Sequence, residues 1–110
     1  IDSFHDSESL MNNMLYFRKI HGNSMSPTLN DGDFILALKV PQKMYHINDI
    51  IIVNHQLFDN IIKRIHSIHD NTVQLKGDGQ DSLSTLKMGD IPTRHILGKM
   101  IWHISPKSKN

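Results

Sequence analysis

The chain has 110 residues, 38% hydrophobic and 21% charged, with a formal net charge of +1. That is the size of one modest globular domain, and the near-neutral balance argues against a strong electrostatic partner such as duplex DNA or an anionic membrane surface. Cysteine is absent, which excludes disulfides, thiolate catalysis and thiolate zinc sites, and no run approaches the roughly 18–20 apolar residues that cross a bilayer.

In chain order, residues 1–13 are polar, rich in Asp, Ser and Asn. They are expected to form a loose leader or a short helix around Ser9–Leu15. The chain opens on Ile1 rather than Met, which leaves room for a membrane anchor upstream. From Leu15 the pattern turns β-like. Leu15–His21 leads into the string Gly22-Asn23-Ser24-Met25-Ser26-Pro27-Thr28-Leu29, followed by Asp31-Gly32-Asp33. Asp33–Val40 is a strand candidate ended by Pro41. Asp49–Asn54 is almost continuously apolar, the signature of a strand buried on both faces. Asn60–His69 and Thr72–Lys76 form a hairpin around the turn Asp70-Asn71. Residues 77–92 are polar and turn-rich, and Ile96–Ile104 is the last strand. No segment carries a long 3.6-residue apolar period. The expected fold is therefore mainly β with little helix: a single compact, bent, barrel-like sheet. The expected boundaries are a leader at 1–14, one domain at 15–105 and a frayed tail at 106–110.

Two residues in this frame carry chemistry. Ser24 lies between a glycine and a Met-x-Pro turn, a plausible setting for an exposed nucleophile. A serine hydroxyl needs a base. Lysine can serve only when neutral, which requires its ordinary pKa of about 10.4 to fall by several units. Burial among apolar side chains does this. Strand alternation puts Ile61, Lys63 and Ile65 on one face and Ile62, Arg64 and His66 on the other. Lys63 is thus set between two isoleucines, whereas Arg64 stays charged in any setting. Taken singly, a loop serine and a strand lysine are ordinary surface groups. The ordered set is specific: Ser-Met-x-Pro-Thr-Leu, Gly-Asp, Asp-Ile-Ile-Ile, Lys-Arg-Ile, then Gly77-Asp78-Gly79.

Over residues 18–104 this order resembles the type I signal peptidases and their relatives, the self-cleaving LexA-like repressors. The resemblance implies a Ser-Lys dyad, with Ser24 as nucleophile and Lys63 as general base. It implies oxyanion or orienting roles for Gly22, Asn23 and Met25. It also implies an orienting role for Ser82, whose hydroxyl would hydrogen-bond the lysine. The family's Gly-Asp-Asn box is represented by Gly77-Asp78-Gly79, with Gly in place of Asn, and its Ser-x-Asp-Ser-Arg stretch by Ser82–Leu86, which lacks the Asp and Arg. Some bacterial members carry a serine, an oxyanion donor, where this chain has Gly22. Losing one such donor costs about 3–4 kcal/mol of transition-state stabilisation. Only Ser67–Lys76 separates the Lys-Arg-Ile run from the Gly-Asp turn, so the chain resembles a minimal core like that of the mitochondrial inner-membrane peptidases.

The implied activity is cleavage of leader or signal peptides through an acyl-enzyme. The implied partner is an extended precursor segment. No metal, cofactor or nucleic acid is required of this domain. The implied location is a bacterial membrane with an extracytoplasmic active site, or the cytoplasm if no upstream anchor exists. The alternative is the self-cleaving domain of a LexA-like repressor. Those proteins cut at Ala-Gly or Cys-Gly upstream of the serine, and the one alanine here, Ala37, follows Ser24. A third reading is a non-catalytic β module, motivated by the degraded Ser82–Leu86 stretch. Ser26 is a weaker rival nucleophile. His66 and His69 point to opposite faces of a strand and do not form a metal pair. Asp31 and Asp33 offer too few acidic ligands for a calcium loop.

Overall fold

The computed structural model describes residues 14–55, 59–79 and 89–106, with only the backbone of Asp59. The expected leader, its helix and Ser82 lie outside these residues, as does the tail beyond Pro106.

The described residues form one antiparallel sheet of seven strands in the order β1-β2-β7-β3-β4-β5-β6. These are β1 (Leu15–Lys19), β2 (Phe34–Leu38), β3 (Ile50–His55), β4 (Asp59–His69), β5 (Thr72–Lys76), β6 (Ile91–Pro92) and β7 (Ile96–Ile104). No α-helix occurs among the described residues; two single 3-10 turns, Gln42–Met44 and Thr93–His95, join strands. The mainly β, bent-sheet expectation holds, and β1 and β6 form the two edges.

β-Branched side chains are concentrated in β3 and β4, as Ile50, Ile51, Ile52 and Val53 and as Ile61, Ile62, Ile65 and Ile68, which favours the pleated conformation there. The β4–β5 hairpin turns at Asp70, whose φ of 51° is tolerated by a short polar side chain. β6 was not anticipated. It has two residues and ends on proline, so it carries no periodicity; it forms by pairing with Thr72 and Val73 of β5.

The sheet packs on both faces. One cluster holds Tyr45, Ile51, Val53, Ile65, Val73, Leu75, Ile91 and Ile96. The other holds Ile20, Met25, Leu29, Ile35, Ala37, Ile50 and Ile52. β3 separates them and is buried at every position except Asn54, as its unbroken apolar run implied. Ile51→Ala and Ile52→Ala are therefore expected to cost about 2–5 kcal/mol each, although the side chains point in opposite directions. Urea unfolding of both variants checks this; a near-neutral result for either would mean that one face is not core.

On β7 an irregularity in the pairing with β2 leaves Ile101 between Met100, opposite Ala37, and Trp102, opposite Leu36. Such bulges redirect side chains. Met100 packs against the second core while Ile101 and Trp102 are both exposed.

Candidate functional site

Ser24 lies in the loop between β1 and β2. Met25 and Leu29 anchor the loop by burying completely in the second core, and Ser24 and Ser26 are left half-buried at its surface. The backbone turns on itself: the Ser26 N–H donates to the Asn23 carbonyl at 3.1 Å and the Leu29 N–H to the Met25 carbonyl at 2.8 Å. The Ser26–Pro27 peptide is cis. Gly22 enters the loop at φ 85°, a left-handed conformation that disfavours any side chain. Its N–H donates to Asp31 Oδ1 at 2.8 Å. The absence of a serine hydroxyl at position 22 is thus built into the backbone and is not a side-chain change alone.

Lys63 lies mid-way along β4, opposite Ile51 of β3. It is 5% exposed. Ile65 beside it is fully buried, and Ile61 and Ile65 join the first core. Burial is the sole cause that depresses the Lys63 amine below the ordinary lysine range. The other basic groups nearby differ. Lys99 on β7 donates to Asp49 Oδ2 at 3.2 Å and to the Met44 carbonyl at 3.0 Å. Arg64 grips Asp78 with two bonds, Nε to Oδ1 at 2.9 Å and Nη2 to Oδ2 at 2.6 Å, and donates Nη1 to the Asn48 carbonyl at 2.7 Å. Among the described residues, no carboxylate pairs with Lys63. Of these three cations, only Lys63 has burial without an opposing charge.

The turn after β5 joins the two regions. Arg64 pairs with Lys76 across the β4–β5 ladder, so the chain leaves the sheet beside the Lys63-Arg64 pair. Asp78 then receives the Arg64 guanidinium, and the Thr28 hydroxyl of the serine loop also helps keep the carboxylate ionised. One residue later the Gly79 N–H donates to the Ser24 carbonyl at 2.7 Å. A Cβ at position 79 would collide with the Asn23 carbonyl oxygen. Glycine at position 79 is therefore what lets the turn close against the serine loop.

No spacing along the sequence announces this bridge: the union of Arg64 and Asp78, and the contact of Thr28, depend on the β4–β5 ladder that brings them together. Met25 packs in the second core, whereas the isoleucines flanking Lys63 belong to the first. Asn23 contributes its backbone carbonyl to the loop turn.

The Asp78 carboxyl is held below its usual range, chiefly by the Arg64 hydrogen bonds. A depressed carboxylate stabilises the fold above the unfolded aspartate pKa of about 3.9, and that contribution is lost as pH falls through the depressed value. Asp78→Asn is expected to cost about 2 kcal/mol at neutral pH, because it removes one partner of a half-buried charged pair. The cost should fade in acid. Thermal melts of both proteins between pH 3 and 7 check this, and a pH-independent difference would contradict it.

Two open clefts share Gln42, Tyr45 and Thr93 and include none of Ser24, Lys63, Asp78 or Gly79. No helix among the described residues is long and apolar enough to cross a membrane.

A family model described as Peptidase S24-like covers residues 2–101. No curated protein matches the chain.

Proposed function

The chain belongs to the peptidase S24-like family, and from that premise we propose that it is a serine endopeptidase that cuts an extended segment of a precursor protein, with Ser24 as nucleophile and Lys63 as base. The observation that carries this reading is the burial of Lys63 without a counter-charge among the described residues, on a strand tied through Arg64 and Asp78 to the serine loop. A lysine in that setting gives up its proton more readily than a solvated one.

The chemistry follows from the two groups. Neutral Lys63 takes the Ser24 proton as Oγ attacks the scissile carbonyl. The carbonyl oxygen becomes an oxyanion, stabilised by backbone N–H donors, chiefly that of Ser24 itself. Lys63 then passes its proton to the leaving amine as the C–N bond breaks and the acyl-enzyme forms. A water activated by Lys63 attacks the ester, and Ser24 regains its proton as the acid product departs. The substrate binds extended, by main-chain pairing with strand edges, with side-chain specificity from alternate positions. Leader peptides with small residues of Ala-x-Ala type are the substrate class of the signal-peptidase-like reading. In that reading the active site faces away from the cytoplasm, and sequence other than the described strands supplies membrane attachment.

Self-cleavage is the alternative reading; residues 1–23 hold no Ala-Gly or Cys-Gly bond of the kind the LexA-like relatives cut, and the two readings are separated by experiment. The test is a panel of Ala-x-Ala leader peptides, read by intact mass together with the enzyme's own mass. Turnover of a peptide in proportion to enzyme concentration, with the enzyme intact, is the expected result. Loss of N-terminal residues from the enzyme at a concentration-independent rate, with the panel untouched, would replace this reading by the self-cleaving one.

A further inference from the structure

The hydrogen bonds that shape the serine loop converge on a group the proposed chemistry does not use. Asp33 closes the neck of the loop and is 2% exposed. The backbone is tied at the same place: the Ile20 N–H donates to the Asp33 carbonyl at 2.7 Å and the Gly32 N–H to the Ile20 carbonyl at 2.9 Å. Asp33 Oδ2 accepts the Asn30 N–H at 2.9 Å and lies 3.1 Å from His103 Nε2 on β7. The Ser105 hydroxyl also serves the carboxylate. Because an ionised carboxylate only accepts, Nε2 of His103 carries the hydrogen in this contact.

Asn30 carries the constraint onward. Its Oδ1 accepts the Ser26 hydroxyl at 2.7 Å, and its Nδ2 donates to the Pro27 carbonyl at 3.3 Å. A chain of contacts thus runs from His103 through Asp33 and Asn30 to Ser26, two residues from Ser24. The Ser26 N–H in turn fixes Asn23, so the turn carrying Ser24 is held from both sides. A buried carboxylate that loses a donor is destabilised, and its remaining contacts shift. Position is the quantity at stake, because small displacements of a reacting group are costly in rate.

We propose that Asp33 and His103 are positioning residues that hold the Ser24 loop in its reactive geometry from the closing strand β7. The inference rests on Ser24 being the nucleophile. It gives the Asp of the Ser-Met-x-Pro…Gly-Asp string a stated task in this chain, and it assigns one to a histidine outside every motif.

The test compares His103→Ala with His103→Gln, whose amide can still donate to Asp33. Two readouts are taken on the whole chain. One is amide hydrogen exchange at Ser26, Leu29 and Asn30, followed by NMR. The other is the rate at which an alkyl fluorophosphonate labels Ser24, read by intact mass. The alanine variant is expected to exchange about tenfold faster at these amides and to label about tenfold more slowly, the scale of one hydrogen bond to a charged group. The glutamine variant should recover most of both. Asn30→Ala should open the same amides and add little when combined with His103→Ala, since both break one chain of contacts. Unchanged exchange in His103→Ala, equal behaviour of Ala and Gln, or fully additive effects would overturn the proposal. Should His103→Ala not fold, His103→Gln and Asn30→Ala carry the same comparison. Absence of labelling in the unmodified protein would count against the nucleophile itself, and the exchange arm would still decide the positioning.

Discussion

Lys63→Met is expected to abolish peptide cleavage and to stabilise the protein at the same time. Methionine matches the length of the lysine stem without its amine. Loss of the proposed general base predicts a fall in kcat of about 10³-fold or more. The gain follows from linkage. Burial holds the folded-state pKa of Lys63 below its unfolded value. Below the depressed pKa both states carry the proton, and the folded state bears the full cost of a buried charge. Between the depressed pKa and about 10.4 the unfolded chain binds the proton and the folded chain does not, so stability rises with pH across that window. Above it the cost has gone. Lys63→Met removes the cost, so it should stabilise the protein at neutral pH. The gain should shrink as pH approaches about 10.4. Thermal melts of both proteins from pH 6 to 10 check this. A variant less stable than the parent at neutral pH would show that the amine supports the fold and is not held there at a cost.

Gly79→Asn is the second large effect, and its direction runs against family resemblance. The change restores the asparagine of the Gly-Asp-Asn box, so a motif-based view expects improvement. Here a side chain at 79 would strike the Asn23 carbonyl, and the Gly79 N–H bond to the Ser24 carbonyl would have to lengthen or break. The serine loop would shift relative to β4. A displacement near 1 Å costs about 10²-fold in rate, and forcing atoms into the contact costs about 1–3 kcal/mol. Gly79→Ala should fail in the same way, because the clash begins at Cβ. Cleavage rates and melts of the two variants check this; wild-type activity in either would mean that the loop and the turn are not locked together.

The strands were legible because their cause is local. Runs of isoleucine and valine bounded by Asp, Asn and Pro specify β3, β4, β5 and β7 almost to the residue, and the continuous apolarity of Asp49–Asn54 announced a strand between two cores. The burial of Lys63 was legible for the same reason, through alternation with Ile61 and Ile65. What escaped the reading is non-local. Arg64 and Asp78 are 14 positions apart, and Asp33 and His103 are 70. Their pairing is dictated by the β4–β5 and β2–β7 registers and not by any spacing along the chain. Gly79 read as a departure from a motif, and its cause is a contact with a loop more than fifty residues earlier. β6 is too short to show a pattern. Ser82, implied as the hydroxyl that orients the lysine, lies outside the described residues.

The central claim is that Ser24 and Lys63 act as a dyad. Its most direct measurement is the rate of cleavage of an Ala-x-Ala leader peptide by the parent protein, Ser24→Ala and Lys63→Ala, from pH 6 to 10, read by intact mass. Cleavage by the parent alone is expected, with a rate that rises with pH and levels off below the ordinary lysine range as the buried amine loses its proton. Cleavage that persists in Ser24→Ala or Lys63→Ala, with both variants folded, would contradict it.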